Sequence, residues 1–309
     1  MRIKAFTMSC IALILNGCAT WKQPSDLAIM RDNGKSGIPV ADLAKKPEFA
    51  NLHRLAALSA SIYIDNAPKS TSSFTSFCES KSKDIQLIPE NWHQDPSLSI
   101  VPETPSFHYK VKGMEHQVWI NTSSGTPVEI FIVFRGTDFN QLGDWLSNFR
   151  WISRLIPFLW DQYDQTRDII PNLVKNIREK YGNDVSIKTT GHSLGGGLAQ
   201  QAAYMSEHID TVYAFNPSSV TGYYSIDKSD REANEKNMTI YRIYEHGEIL
   251  AYLRLLMKSL YPISNSDPKI VEIRYNLVKG NMISQHSMKD FACELRNIAE
   301  NIPNPDSSL

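Results

Sequence analysis

The chain has 309 residues, of which 42% are hydrophobic, and its formal net charge at neutral pH is −1. A chain of this length and composition can bury a large single core. Its balanced charge excludes the strongly basic surface that nucleic acids require, so we expect no nucleic-acid partner.

The N-terminal segment, residues 1–17, has the pattern of an export signal. Two basic residues precede an apolar run from Ala5 to Leu15, which is too short to cross a bilayer as a permanent helix. The run ends in LNGC, which resembles the lipobox of bacterial lipoproteins, where the cysteine, here Cys18, carries acyl chains such as palmitate. An ordinary cleaved signal peptide is the alternative. By analogy with lipoprotein sorting, Ala19 predicts a lipid anchor in the outer membrane of a bacterial cell envelope.

The following segment, residues 18–47, is polar and rich in Pro, Gly and Asp, which predicts a tether between the anchor and the folded body. The body is then a single domain over residues 48–309. Two cysteines, Cys78 and Cys293, remain in it. An oxidising periplasm favours a disulfide between them, but two buried thiols explain them equally well, so the sequence leaves both options open.

Hydrophobic spacing in the body predicts alternating helices and strands. The run VEIFIVF, residues 128–134, is almost continuously apolar, which is typical of a strand buried on both faces of a parallel sheet. The alternation predicts an α/β fold with a mostly parallel central sheet and helices on both faces. The predicted helices cover residues 48–64, 161–180, 194–208 and 287–302, and the predicted strands cover 107–111, 117–120, 128–134, 185–190, 211–216 and 238–244.

The motif GHSLG, residues 191–195, lies between a predicted strand and a predicted helix. In this context GxSxG forms a nucleophile elbow, in which glycines permit a strained turn and the serine hydroxyl projects above the sheet. The motif alone is more often a plain turn. The strand before it and the helix after it favour Ser193 as a nucleophile.

A serine hydroxyl needs a base to remove its proton, and an acid must orient that base. In the α/β-hydrolase order the histidine comes last, and only His208, His246 and His286 lie well beyond the serine. His208 falls at the end of the helix that follows the serine, and His246 leaves no room for an acid before it. His286 is therefore the candidate base. It precedes the last helix, where Ser287 and Asp290 are spaced as a capping box.

The acid should follow a strand, and the segment YRIYEHGEIL offers two glutamates. Glu245 lies at the predicted strand end, and Glu248 follows three residues later. From the residues alone both remain candidates.

Four segments together resemble the class 3 lipase family of α/β-hydrolases, over most of residues 50–300: IVFRGTDFNQLGDWLSNF, TTGHSLGGGLAQQAA, YRIYEHGEIL and QHSMKDF. The resemblance implies that Ser193 is the nucleophile and His286 the base. It places Glu248 where the family carries an aspartate. Because glutamate is one methylene longer, either the backbone is set back here or the acid is Glu245.

Two amides are expected to bind the oxyanion. One belongs to Leu194, directly after the nucleophile. The resemblance implies that the other belongs to Thr137, after the segment FRG, whereas a simple turn after a buried strand is the alternative.

Residues 145–160 follow this turn, where the family has a mobile lid. Their aromatic and aliphatic side chains, together with two arginines, suit a lid or an acyl-chain groove, and a buried core helix is the alternative. By the same reasoning, residues 249–262 form the opposite wall.

These features predict a serine carboxyl-ester hydrolase that acts on triacylglycerol or phospholipid and needs no cofactor or metal. Its expected partners are the lipid substrate and the membrane that holds its anchor. A thioesterase or peptidase on the same fold is one alternative. A catalytically silent lipoprotein that binds acyl chains or a protein partner is the other, and the unusual acid supports it.

Overall fold

One mixed β-sheet organises the part of the chain that the structure describes. The structure is a computed structural model. It describes residues 23–32, 34–63, 78, 88, 91–99, 114–136, 150–251, 254, 264 and 266–301, and residues 150–161 by their backbone alone.

Nine strands, counted over these residues, form the sheet. Their bounds are β1 Leu27–Arg31, β2 Lys35–Pro39, β3 Trp92–Gln94, β4 His116–Ser123, β5 Thr126–Phe134, β6 Ser186–His192, β7 Ile209–Phe215, β8 Thr239–Glu245 and β9 Lys269–Tyr275. The spatial order is β2-β1-β9-β8-β7-β6-β5-β4-β3. Strands β5 to β9 run parallel, and an antiparallel pair of strands extends each edge. The predicted α/β class with a mostly parallel central sheet is confirmed.

Helices cover both faces of this sheet. Their bounds are α1 Val40–Ala44, α2 Leu52–Ser61, α3 Arg150–Tyr181, α4 Leu194–Tyr204, α5 Lys228–Asn234 and α6 Met288–Glu300. Helices α2 and α6 pack against each other on one face, and α3 and α4 pack against each other on the opposite face. None of the helices in the described ranges combines the length and the apolar character that crossing a membrane requires.

The two faces have separate hydrophobic cores, and β7 shows how one strand supplies both. Successive side chains of a strand point to opposite faces. Val212 and Ala214 contribute to the core under α3 and α4, whereas Tyr213 and Phe215 contribute to the core under α2 and α6. Burial of each large apolar side chain stabilises the fold by about 1.5–3 kcal/mol. A strand that is buried on both sides cannot slip by one residue without exchanging the two cores.

Most of the predicted elements in the described residues are present, with ends that shift by a few residues. The strands predicted over 117–120, 128–134, 211–216 and 238–244 correspond to β4, β5, β7 and β8. The long helix α3 begins at Arg150 rather than at the predicted residue 161, because the apolar segment before 161 continues the helix. The strand predicted over 107–111 lies outside the described residues.

Residues 27–31 and 35–44 differ from the prediction, which assigned them to a tether over 18–47. They form β1, β2 and α1, and β1 pairs with β9, so the folded body begins before residue 48. The physical reason is the edge position of β2. Its residues are mostly exposed and include Gly37 and Pro39, so its composition resembles that of a polar linker.

A disulfide joins Cys78 to Cys293, whose Cα atoms lie 5.6 Å apart. The two residues are separated by 215 positions in the sequence, and Cys293 lies within α6. The structure thus favours the disulfide of the two options that the sequence left open. The bond ties a distant part of the chain to the C-terminal helix.

Replacing both cysteines, Cys78→Ala with Cys293→Ala, should lower the free energy of unfolding by about 2–4 kcal/mol, because the unfolded chain regains the freedom of a long closed loop. Urea unfolding of the wild type and the double variant measures this difference. A reducing agent provides the control: it should bring the wild type to the stability of the double variant and leave the variant unchanged. Equal stability of the two proteins under oxidising conditions would contradict a disulfide at this position.

Candidate active site

The GxSxG motif forms a sharp turn between β6 and α4. Strand β6 ends at His192 and α4 begins at Leu194, so Ser193 makes the turn. Its φ of 58° and ψ of −121° are rarely adopted by residues other than glycine, as expected of a nucleophile elbow. Two backbone hydrogen bonds hold this conformation. Ser193 N–H donates to the Phe215 carbonyl at 3.0 Å, and the Ser193 carbonyl accepts from Ser218 N–H at 2.8 Å.

The glycines of the motif allow the backbones of β5, β6 and α4 to pack in direct contact. A Cβ atom at Gly191 would lie within 3.0 Å of the Gly195 backbone, and one at Gly195 would lie within 3.0 Å of the Phe134 carbonyl at the end of β5. Real Cβ atoms do not approach backbone atoms so closely. The motif therefore requires glycine at both positions for β5, β6 and α4 to pack as they do.

Next to this turn lies a buried pair, His286 and Glu248. His286 ends a short 3₁₀ turn, Ser284–His286, directly before α6, and Glu248 follows β8. His286 Nδ1 lies 2.5 Å from Glu248 Oε2, and the two side chains are only 2% and 0% exposed. Of the two candidate glutamates, the structure brings Glu248 to the imidazole. Ser287 caps α6 by accepting a hydrogen bond from Asp290 N–H, which is one half of the predicted capping box.

Glu248 is held as a carboxylate by its partners. Arg254 Nη2 contacts Glu248 Oε1, and Leu250 N–H donates to Oε2 at 2.9 Å. Burial raises the pKa of Glu248, but the positive charge of Arg254 and the hydrogen-bonded His286 outweigh burial, so its pKa lies below the ordinary value. Glu248 is consequently ionised at neutral pH and accepts a hydrogen bond from the imidazole.

The neighbouring Glu245 has a different environment. Its carboxyl group accepts hydrogen bonds from Leu277 N–H at 3.0 Å and Val278 N–H at 3.3 Å, at the end of β9. Burial raises the pKa of Glu245 to about 8; the two amide hydrogen bonds lower it, and the charges of Glu294 and Glu248 raise it. Glu245 is therefore mostly protonated at neutral pH and joins β8 to the segment after β9.

The 3₁₀ turn that ends at His286, the histidine turn, contacts the nucleophile elbow through His192, the residue before Ser193. The ring centroids of His192 and His286 lie 4.6 Å apart. His192 Nε2 also donates to the main-chain oxygen of His286 at 2.9 Å. The pair of His286 and Glu248 therefore lies next to the residue that precedes Ser193, and positions 193, 248 and 286 are all buried. They follow the carboxyl ends of the parallel strands, where α/β sheets place their active groups.

The two predicted oxyanion donors have different outcomes. Leu194 is the first residue of α4, a position whose amide has no acceptor within its own helix. Thr137 lies outside the described residues. The preceding Arg135 forms an ion pair with Glu115 at 2.6 Å, which holds the end of β5.

Three further predicted features are the lipidation site, the lid and the opposite wall of the acyl-chain groove. Cys18, the predicted lipidation site, lies outside the described residues. In the predicted lid, residues 145–160, the structure describes a helical backbone from position 150 onward. In the opposite wall, residues 249–262, it describes only positions 249–251 and 254.

Three residues of the cluster were not predicted. Arg254 was assigned to an acyl-chain wall, although a cation within an apolar stretch close after a candidate acid is a signal for an ion pair. His192 was treated only as a variable position of the motif. Tyr63, whose hydroxyl lies 3.2 Å from His192 Nδ1, gives no signal in the sequence because it comes from the end of α2, far along the chain.

Glu245→Gln should change the pH dependence of stability. The folded-state pKa of about 8 exceeds the ordinary value of 4.5, so the folded protein holds an additional proton between these values. Its stability is then fully present below the ordinary value and is lost as the pH rises through about 8. Glutamine accepts the same amide hydrogen bonds and does not ionise. We expect equal stability at about pH 4, and a variant more stable by on the order of a few kcal/mol at about pH 9, measured by urea unfolding.

A stability difference that stays constant from low to high pH would contradict this pKa. The measurement also separates Glu245 from Glu248, because a carboxylate that is ionised in the folded state loses stability in the opposite direction, as the pH falls.

The chain is similar to several solved structures of lipases and esterases. The chain shares 13% identity with lipase II from Rhizopus niveus over 69% of this chain and 76% of that chain, with a TM-score of 0.42. With the propeptide complex of the Rhizomucor miehei lipase, the chain shares 15% identity over 76% of this chain and 71% of that chain, with a TM-score of 0.43. With a thermostable esterase from Pseudomonas putida, it shares 14% identity over 86% of this chain and 91% of that chain, with a TM-score of 0.35. A search of curated proteins finds no match.

The sequence profile of a family of phospholipase-like proteins, the Tle-like phospholipase domain, matches residues 54–266. This region includes Ser193 and Glu248 and ends before His286. The match confirms that the protein is an ester hydrolase of the lipase kind, as predicted from the resemblance to class 3 lipases. Since the matched region covers more than half of the chain, the protein belongs to the family of Tle-like phospholipase domains.

Proposed function

We propose that the protein hydrolyses the acyl esters of phospholipids through an acyl-enzyme on Ser193. One observation carries the proposal: Ser193, on a strained strand-to-helix turn, directly follows His192, whose ring centroid lies 4.6 Å from that of His286, and His286 Nδ1 lies 2.5 Å from a carboxylate. A nucleophile, a base and a group that orients the base are the three parts that serine ester hydrolysis requires.

The contact with Glu248 sets the direction of proton transfer. A carboxylate accepts the hydrogen of His286 Nδ1, so Nε2 is the basic nitrogen of the neutral ring. As Ser193 Oγ bonds to the ester carbonyl carbon, Nε2 takes the hydroxyl proton. The same proton then passes to the leaving alcohol as the ester bond breaks, which gives an acylated serine and a lysophospholipid. Water, deprotonated by His286, releases the fatty acid and restores the serine.

The oxyanion that forms in each step needs hydrogen-bond donors. We assign the Leu194 amide to this role because it starts α4, next to the nucleophile. Thr137 is the second donor by the resemblance described above. The positive end of α4 also favours negative charge at this point.

Glutamate at the acid position does not argue for a silent protein. The side chain of Glu248 reaches the imidazole, and its ionised form is supported by Arg254 and by the Leu250 amide. A protein that only binds acyl chains has no need of such a buried, ionised carboxylate on a histidine, because burial of a charge costs several kcal/mol. Phospholipid is the substrate class that the family assignment supports.

The proposal is tested by labelling with a fluorophosphonate and by release of fatty acid from phospholipid micelles. We expect the wild type to be labelled, and Ser193→Ala to show no labelling and a loss of about 10⁴-fold or more in kcat. Glu248→Gln should lower kcat by about 10⁴-fold, because an amide favours the wrong ring tautomer. Glu245→Gln, an identical change three residues away, is the matched control and should retain activity.

Each contrary result has a distinct meaning. Full turnover by Ser193→Ala rules out the acyl-enzyme. Loss of activity in Glu245→Gln alone would assign the acid to that residue. Labelling of the wild type without hydrolysis of phospholipid, but with hydrolysis of triacylglycerol, thioester or peptide substrates, would keep the mechanism and reject the substrate class.

We also propose that the protein is exported and anchored by lipid on Cys18 in a bacterial outer membrane. The sequence LNGC supports this proposal, and so does the disulfide between Cys78 and Cys293, because such bonds persist in oxidising compartments. An anchored enzyme is held at the surface where its lipid substrate lies.

Growth with radioactive palmitate tests this proposal. The wild type should be labelled and sediment with membranes, whereas Cys18→Ser should be unlabelled and soluble after cell breakage, because two or more acyl chains are needed for stable anchoring. Retention of phospholipase activity in soluble Cys18→Ser shows that the variant has folded. Membrane sedimentation of unlabelled Cys18→Ser would contradict a lipid anchor at this residue.

A further inference from the structure

The side chain of His192 connects four segments that are distant in the sequence. Its Nε2 lies 2.9 Å from the main-chain oxygen of His286, and its Nδ1 lies 3.2 Å from the hydroxyl of Tyr63. The same hydroxyl accepts a hydrogen bond from Gly136 N–H at 3.0 Å. The elbow, the histidine turn, the end of α2 and the segment after β5 are therefore joined through His192 and the hydroxyl of Tyr63.

The protonation of His192 follows from its surroundings. Burial and the neighbouring His286 lower the pKa of His192 well below its ordinary value, so the ring is neutral. A carbonyl oxygen only accepts, so the single ring hydrogen lies on Nε2 and points to His286 O. Nδ1 is then an acceptor, and the Tyr63 hydroxyl, which lies 3.2 Å from Nδ1 and 3.3 Å from the main-chain oxygen of His192, donates its hydrogen to His192.

These hydrogen bonds run in one direction along the site. Gly136 N–H donates to Tyr63, Tyr63 donates to His192, and His192 donates to the backbone of His286. The packing around them is tight, because a Cβ atom at Gly136 would lie within 3.0 Å of the His192 carbonyl and of the Tyr63 hydroxyl. Gly136 directly precedes Thr137, the second oxyanion donor in the proposed mechanism.

We propose that Tyr63 and His192 are positioning residues that set the oxyanion turn and the catalytic histidine at fixed distances from Ser193. The inference rests on the proposed function. Neither side chain is assigned a contact with the substrate. Together they link the donor side of the site to its base side, so a shift at one end is resisted at the other.

The energetic reason is the burial of these polar groups. His192 is 4% exposed and His286 is 2% exposed, so water cannot easily replace a lost partner. Removal of a hydrogen bond then moves the backbone instead. Misplacement of a reacting group by about 1 Å costs on the order of 100-fold in rate.

Three variants test the proposal on a soluble short-chain nitrophenyl ester, with intact sites counted by fluorophosphonate titration. Tyr63→Phe and His192→Phe should each lower kcat per intact site by about 10- to 100-fold and change KM by less than about threefold, since transition-state geometry is lost rather than substrate binding. His192→Gln places an amide N–H near the position of Nε2, and it should recover about tenfold in kcat relative to His192→Phe.

The combined variant Tyr63→Phe/His192→Phe distinguishes a linked pair from two separate effects. Linked residues lose less together than the product of their single losses, whereas independent residues multiply. Tyr213→Phe is the matched control. It removes another partly buried tyrosine hydroxyl, bonded to the Glu48 carbonyl at 2.9 Å, and it should lower stability without lowering kcat per intact site.

Two outcomes would overturn the proposal. One is unchanged kcat per intact site in both single variants, with only a lower melting temperature, as in Tyr213→Phe. The other is a pair of losses that multiply in the combined variant. Ser193→Ala separates this failure from failure of the proposed function: an inactive Ser193→Ala beside a fully active Tyr63→Phe rejects the positioning role alone, and an active Ser193→Ala rejects the mechanism on which it rests.

Discussion

The buried carboxylate of Glu248 is the constraint on which the rest of the site depends. An ion that is removed from water costs several kcal/mol unless charges and hydrogen bonds compensate it. Glu248 receives such compensation from Arg254, His286 and the Leu250 amide, and Arg254 also donates to the Pro217 carbonyl at 2.9 Å. These partners come from segments after β7 and β8 and before α6. The loops must therefore assume their observed positions together, because movement of any one of them removes a partner from a buried ion.

The sheet makes this assembly of loops feasible. Parallel strands β6, β7 and β8 end at the same edge, so the segments after them start close together regardless of their separation in sequence. The two cores hold these strands in register from both faces. The strained conformation of Ser193 is then maintained by neighbours on either side, through the Phe215 carbonyl and the Ser218 amide. Strain at one residue is small beside the apolar burial that fixes its neighbours.

Local patterns in the sequence predicted the parallel core and indicated candidate positions for the chemistry, but they failed where contacts alone define a residue's role. Glycine spacing indicated Ser193 and chain order indicated His286, and both signals can be read without the structure. The choice between Glu245 and Glu248 needed the structure. Glu245 ends β8 and Glu248 lies three residues later, and only the direction of the turn decides which carboxyl group meets the imidazole. Strand β2 was missed because an edge strand has the composition of a linker. Tyr63 was missed because its role depends on a hydroxyl contact across the chain.

Glu245 and Glu248 show that environment, rather than residue type, assigns the role of a carboxyl group. Both are fully buried and lie three positions apart. The charge of Arg254 and the contact with His286 outweigh the burial of Glu248, so its pKa falls below the ordinary value. At Glu245, burial outweighs the two amide hydrogen bonds, and neighbouring carboxylates add to its effect, so the pKa rises to about 8. Glu245 is mostly protonated at neutral pH, and its hydrogen bonds to the segment after β9 give this buried acid a structural role.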